Sequence, residues 1–245
     1  MSQKFIKTIA ALTAAAFLMP MYACNDSKAP QSSIEQSSTE PVVSEPATES
    51  SVQATEPTES VPSDSAVDPM KDTNYTKSNF ENGVYTNEYA ELKINLPDSF
   101  IAISESDIEM QRQSVLSRMS DGKDKEILSA SKIDANLSSP DMDSITIKFL
   151  NTKQGVKDDS DYSADEHLDY YRDNLLNSLP QGVDCQVGER VTVSLGSKEY
   201  VRQHFTMGSN QSYAYVRKLD DALMCIIELT YMSDQTPEHY EAFFE

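Results

Sequence analysis

Apolar and polar positions alternate in short runs through the second half of the chain. In residues 91–96, Leu92, Ile94 and Leu96 alternate with Lys93 and Asn95, which predicts a strand that Pro97 ends. Residues 84–85 predict a strand before it. Residues 106–119 predict a helix: Ser106 with Glu109 three positions on has capping-box spacing, and Ile108, Val115 and Met119 share one face. Strands are expected at 126–133 and 144–150. Ser163 with Glu166 repeats the capping-box spacing and opens a helix striped by Leu168, Tyr171, Leu175 and Leu179. Four strands follow, at 184–193, 199–207, 212–218 and 223–231. Their links are short, at Gly196, Gly208–Asn210 and Asp220–Asp221, and short links favour an antiparallel meander. Thr236 and Pro237 supply an N-cap and a first helical position for a terminal helix over 239–244. The order ββ, α, ββ, α, ββββ, α predicts an α+β fold with one antiparallel sheet flanked by helices.

No such pattern runs through the first third. Residues 25–69 hold 11 Ser, 4 Thr, 6 Pro, 6 Glu and 3 Asp, with one Lys, no Gly and no aromatic residue. A segment of that kind buries too little apolar surface to offset its ordering entropy, so it reads as a disordered tether. The expected layout is a leader over residues 1–23, Cys24 and the tether over 24–79, and a globular domain over 80–245. A flexible chain of about 50 residues spans roughly 35–45 Å, and like charges and Pro extend it further.

The leader has Lys4 and Lys7 ahead of a 14-residue apolar run, IAALTAAAFLMPMY, which Cys24 closes after Ala23. About 20 residues are needed to cross a bilayer, so the run reads as a signal peptide rather than a transmembrane helix. The layout resembles that of bacterial lipoproteins. The resemblance implies cleavage before Cys24, acylation of its sulfur, and an extracytoplasmic domain held on the outer face of the cell membrane. Met21 and Tyr22 stand where Leu and a small residue are usual, which leaves open a secreted protein in which Cys24 is incidental.

The chain carries 40 acids against 20 bases, a formal charge of −20. From residue 71 onward there are 17 bases and 31 acids, a net of −14, so the body is acidic as well as the tether. Nucleic acid and anionic membrane surfaces need clustered Lys and Arg, which this body lacks, so nucleic acid is an unsuitable partner.

Gly83-Val84-Tyr85-Thr86-Asn87, then Leu92-Lys93-Ile94 and Leu96-Pro97-Asp98-Ser99-Phe100, resemble the opening of PsbP-like lipoproteins of Gram-positive bacteria. In those a G-x-Y-x-N turn leads into a strand ending in L-P-x-G-W. Here Ser99 replaces the usual Gly, and Phe100 replaces the usual Trp as the plug of an apolar slot. The resemblance implies an α/β/α sandwich over residues 83–245, and a role in binding other proteins or assisting assembly. It carries no catalytic residue set.

His167 lies among Asp165, Glu166 and Asp169, which fits either a solvated acidic first turn suited to the helix dipole or an acid–base site. His204 reads as a surface or core-edge residue of a strand. Asp158, Asp159, Asp161 and Asp165 alternate as calcium ligands would. However, a loop begun at Asp159 puts Ala164 and Tyr170 where an EF-hand needs Gly and Glu, so no metal site is assigned. There is no GxSxG, SxxK or Gly-rich phosphate loop, and no cofactor is implied. A simple meander sets the strands of Cys185 and Cys225 three spacings apart, about 14 Å, against the ~7 Å a disulfide allows, so the two are expected unpaired. Tyr213 and Tyr215 share a strand face, which suits core filling or a binding surface.

The sequence thus predicts a lipid-anchored extracytoplasmic binding or scaffolding domain. Its partners would be the bilayer, through acylated Cys24, and an envelope protein or ligand that the residues leave unnamed. An envelope hydrolase with an unrecognised site, for which the Asp165/His167 region is one candidate, and a carrier of a small apolar ligand are the alternatives.

Overall fold

The computed structural model describes residues 68–156, 161–232 and 234–245. The leader, Cys24, most of the tether, and Asp158 and Asp159 lie outside the described residues. Among those described, no helix is long and apolar enough to cross a membrane.

The strands are β1 (Asn79–Glu81), β2 (Val84–Asn87), β3 (Leu92–Asn95), β4 (Ile101–Ala102), β5 (Ser131–Ser138), β6 (Ser144–Asn151), β7 (Gln186–Val187), β8 (Val191–Leu195), β9 (Lys198–Met207), β10 (Asn210–Lys218) and β11 (Leu223–Tyr231). The helices are α1 (Glu105–Leu116), α2 (Lys123–Ser129), α3 (Thr152–Gly155), α4 (Ala164–Ser178) and α5 (Pro237–Glu241). Every strand pairing is antiparallel.

The antiparallel sheet flanked by helices is present, but the strands form two sheets instead of one. β1-β2-β3 make a three-stranded sheet, and β4-β5-β6-β11-β10-β9-β7 make the large one, with β8 also on β9. β1 and β2 join through Asn82 and Gly83, both at positive φ (53° and 77°), as a two-residue hairpin of the type that matches strand twist requires.

The large sheet buries both faces. Its central strand β11 is buried along its whole length. One face carries Ile145, Ile147, Phe149, Cys225, Ile227, Leu229, Tyr213 and Tyr215 and meets the small sheet through Tyr85, Leu92 and Ile94. On this side the second layer is therefore a sheet with the one-turn α5, where a helical layer was expected. Phe100 fills its slot here, edge-on to Phe243 at 6.0 Å. Residues 68–79, which composition assigns to the tether, also reach this core: Met70 is buried and Tyr75 packs on Phe149 at 5.2 Å. The opposite face carries Leu150, Phe205, Ala214, Val216, Met224 and Ile226 and packs on α2 and α4 through Ile127, Leu168 and Leu175.

α4 starts as its sequence dictates. The Ser163 side chain accepts from the Glu166 amide, and the Glu166 carboxylate accepts from the Ser163 amide. α1 differs from expectation. Its cap is Ser104, whose Oγ accepts from the Asp107 amide at 3.2 Å, so the i, i+3 relationship sits two residues earlier. The strand expected at 126–133 is also displaced. Lys, Glu and Leu favour a helix over Lys123–Ser129, with Ile127 and Ala130 buried, and the period-2 run that pairs is Ser131–Ser138.

The strand expected at 184–193 is broken into β7 and β8. Val187 pairs with Phe205 and Val191 with Arg202, so one extra residue is accommodated between them. At this break Gly188 lies against β9, where an added Cβ would come within 3.1 Å of the His204 Cβ. Arg190 turns aside to bond Gln203, Asp165 and Asp169. A second bulge lies in β5. Ile133 pairs with Lys148 and Ala135 with Ile147, leaving Asp134 as the extra residue.

Candidate functional site

β6 and β11 lie side by side at the centre of the large sheet, with Thr146 opposite Glu228 and Lys148 opposite Ile226. Ile145, Ile147 and Phe149 point to the small-sheet core, so by strand alternation Thr146 and Lys148 face the helices. On β11, Glu228 and Thr230 continue the row of Met224 and Ile226 on the same side. Each strand carries a single charged residue, and both of these lie under the helical layer.

Those charges meet. The Lys148 ammonium donates to Glu228 Oε1 at 2.6 Å, with the two side chains 16% and 5% exposed. The other carboxylate oxygen, Glu228 Oε2, is buried and has no hydrogen-bond partner. The Tyr171 hydroxyl, brought from α4, is likewise buried and makes no hydrogen bond within 3.5 Å, with Ser212 as the side chain near enough to interact with it. Burial first, and the nearby Glu228 carboxylate second, hold its pKa well above the usual tyrosine range; Ser212 lies close by. Ser212 and Thr230 place their hydroxyls 3.4 Å apart. This polar row meets solvent at Lys148 and at the partly exposed ring of Tyr171.

The arrangement is costly. Desolvating an ion pair offsets much of its attraction, and an apolar pair of similar volume is often as stable. An unsatisfied buried acceptor adds about 1–3 kcal/mol of penalty. The neighbours Met224 and Ile226 show that apolar side chains fit this face.

His167 lies nearby on α4, and here the structure corrects the sequence reading. It is not part of a solvated first turn; it is 5% exposed, and its Nδ1 lies 3.3 Å from the Tyr162 hydroxyl. Burial, reinforced by the positive charges of Lys148 and Lys123, lowers its pKa to about 3, so the imidazole is neutral near neutral pH. Asp165 and Asp169 point the other way. Both carboxylates accept from Arg190 at 2.9 Å. The Asp165 and His167 side chains, the one region offered for the hydrolase alternative, are therefore not brought together.

Of the calcium candidates, Asp165 is engaged by Arg190. Among the described residues, no group of three or more His, Cys, Asp or Glu side chains could hold a metal ion. His204 is a core-edge residue, stacked on Tyr213 at 4.2 Å with its Nε2 2.7 Å from Gln211 Oε1. Cys185 and Cys225 are both free thiols, as the strand order β11-β10-β9-β7 requires. Burial raises the Cys225 thiol to about 12. Tyr213 and Tyr215 are buried and fill the core on the small-sheet side.

The Lys148–Glu228 pair did not emerge from motif spacing. Its signal was a single charged residue inside each of two strand-forming runs, SITIKFLN and MCIIELTY.

No protein-family model matches the chain, and no curated protein matches it. Among solved structures the chain is similar to the solution structure of cyanobacterial PsbP from Synechocystis. The match is at 11% identity and a TM-score of 0.41, and covers 66% of this chain and 90% of that one. It is a likeness of fold alone.

Proposed function

We propose that this protein is a lipid-anchored extracytoplasmic domain that binds or scaffolds a partner at the cell envelope. The observation that carries the proposal is the layout of the first third of the chain. A 14-residue apolar run behind Lys4 and Lys7 ends at Cys24, and a tract of Ser, Thr, Glu and Pro follows at once. Two or three acyl chains, each contributing about 0.8 kcal/mol per buried methylene, would hold Cys24 on a bilayer. The tether then lets the body search the space above it.

Binding is favoured over the hydrolase alternative by the positions of two residues: His167 faces the core, while Asp165 bonds Arg190 outside it. The test is Cys24→Ala. The variant is expected in the soluble fraction and the parent protein with membranes. Membrane association that survives the substitution would refute acylation of Cys24 as the anchor.

A further inference from the structure

We propose that the Lys148–Glu228 pair is the floor of a binding site for a small zwitterion of the amino-acid type. The ligand's ammonium group donates to the open Glu228 Oε2, and its carboxylate faces the Lys148 ammonium and the Tyr171 hydroxyl.

Three observations carry this. First, Glu228 is 95% withdrawn from solvent, yet one oxygen of its carboxylate accepts nothing. Native proteins satisfy nearly all buried polar atoms, so an open acceptor at the centre of a sheet points to a missing donor. Second, Lys148 uses one of its three N–H groups, on Glu228 Oε1, which leaves two for a ligand. The site thus offers donors beside an open acceptor. Third, Lys148 is the more exposed member of the pair, so an entering ligand meets the ammonium first.

The charge balance selects the ligand class. Lys148 and Glu228 cancel, and His167 alongside is neutral. A simple cation or a simple anion would leave a net charge in a poorly solvated place, which is expensive. A zwitterion adds none and matches both members of the pair. The inference extends the binding-domain reading to what is bound, and it does not depend on Cys24.

The test uses the full chain in detergent, titrated calorimetrically with glycine and L-serine. Acetate, methylammonium and glycerol serve as half-ligands and as a neutral polyol. The zwitterions are expected to bind at least about tenfold more tightly than any of these three. Glu228→Gln is expected to weaken glycine by about tenfold or more, and Tyr171→Phe, which keeps the ring packing, to weaken it measurably. Near-ultraviolet circular dichroism checks that each variant is folded. If Glu228→Gln does not fold, Tyr171→Phe carries the test. Absence of heat from glycine and L-serine at millimolar concentration would overturn the proposal and leave a bridging water as the occupant. Equal binding of the half-ligands, or wild-type affinity in the folded variants, would overturn it too. The Cys24→Ala protein titrated in parallel separates this result from the anchoring one: loss of the anchor with retained glycine binding leaves the ligand site standing.

Discussion

The hydroxyl of Tyr85, on the small sheet, donates to the carboxylate of Asp134, the extra residue of the β5 bulge on the large sheet. Tyr75 donates to the other oxygen of the same carboxylate. The bulge makes this possible, because the extra residue lets Asp134 present its carboxylate to the small-sheet core while Ile133 and Ala135 keep their pairings. One carboxylate therefore pins both residues 68–79 and the three-stranded sheet to the large sheet. Burial, and then the Asp134 charge, raise the Tyr85 pKa well above the usual tyrosine range.

Asp134→Ala should destabilise the fold by about 1–3 kcal/mol, because it strands the buried Tyr85 hydroxyl. Asp134→Ala combined with Tyr85→Phe should cost less than the sum of the two single changes, since the Tyr85 hydroxyl is then no longer left without an acceptor; the loss of the Tyr75 bond is common to both Asp134 variants. Denaturant unfolding of the three variants measures this coupling. Strict additivity would show that the pin contributes nothing.

His167 makes stability depend on pH. Its folded pKa, about 3, lies below its unfolded value of about 6.5, so the unfolded chain binds the proton first. Its contribution is complete above pH ~6.5 and is lost as pH falls toward about 3, with a slope of at most about 1.4 kcal/mol per unit. Replacing it with a residue that does not titrate, His167→Gln, should flatten unfolding free energy against pH over this window relative to the parent. Parallel profiles would mean that His167 is protonated without penalty in the folded protein.

The longer elements were mostly legible because period and capping are local properties, whereas the short β1, β4 and α3 carry too few residues to show a period. Ser163 and Glu166 name the start of α4 by themselves, and the short apolar run at 223–231, set off by Asp220 and Asp221, names a buried strand. What was not legible depended on partners far along the chain. Glu126 to Ile133 contains both a helical spacing, Ile127 and Ala130, and the start of a period-2 run. Only pairing with β6 decides where one gives way to the other. The break between β7 and β8 depends on Arg190 reaching residues of α4 and β9. His167 looked solvated because its sequence neighbours are acidic, but those neighbours occupy the outer side of the helix. Of the candidate site, Lys148 and Glu228 are 80 positions apart, and nothing local pairs them.

The two downstream cysteines should titrate as free thiols. Cys185 is partly exposed and should react with a maleimide in the native protein, while Cys225 is fully buried and should react only in denaturant. Its raised thiol pKa slows it further. A denatured, unreduced protein with no reactive thiol at Cys185 or Cys225 would require a disulfide, and with it a different strand order.

The tethered-binder reading rests on Cys24, so the most direct measurement is the intact mass of the membrane-extracted protein together with its N-terminal fragment. The expected result is a chain that begins at Cys24 and carries diacylglycerol on the sulfur. A chain with an unmodified Cys24, whether cleaved elsewhere or uncleaved, would contradict it.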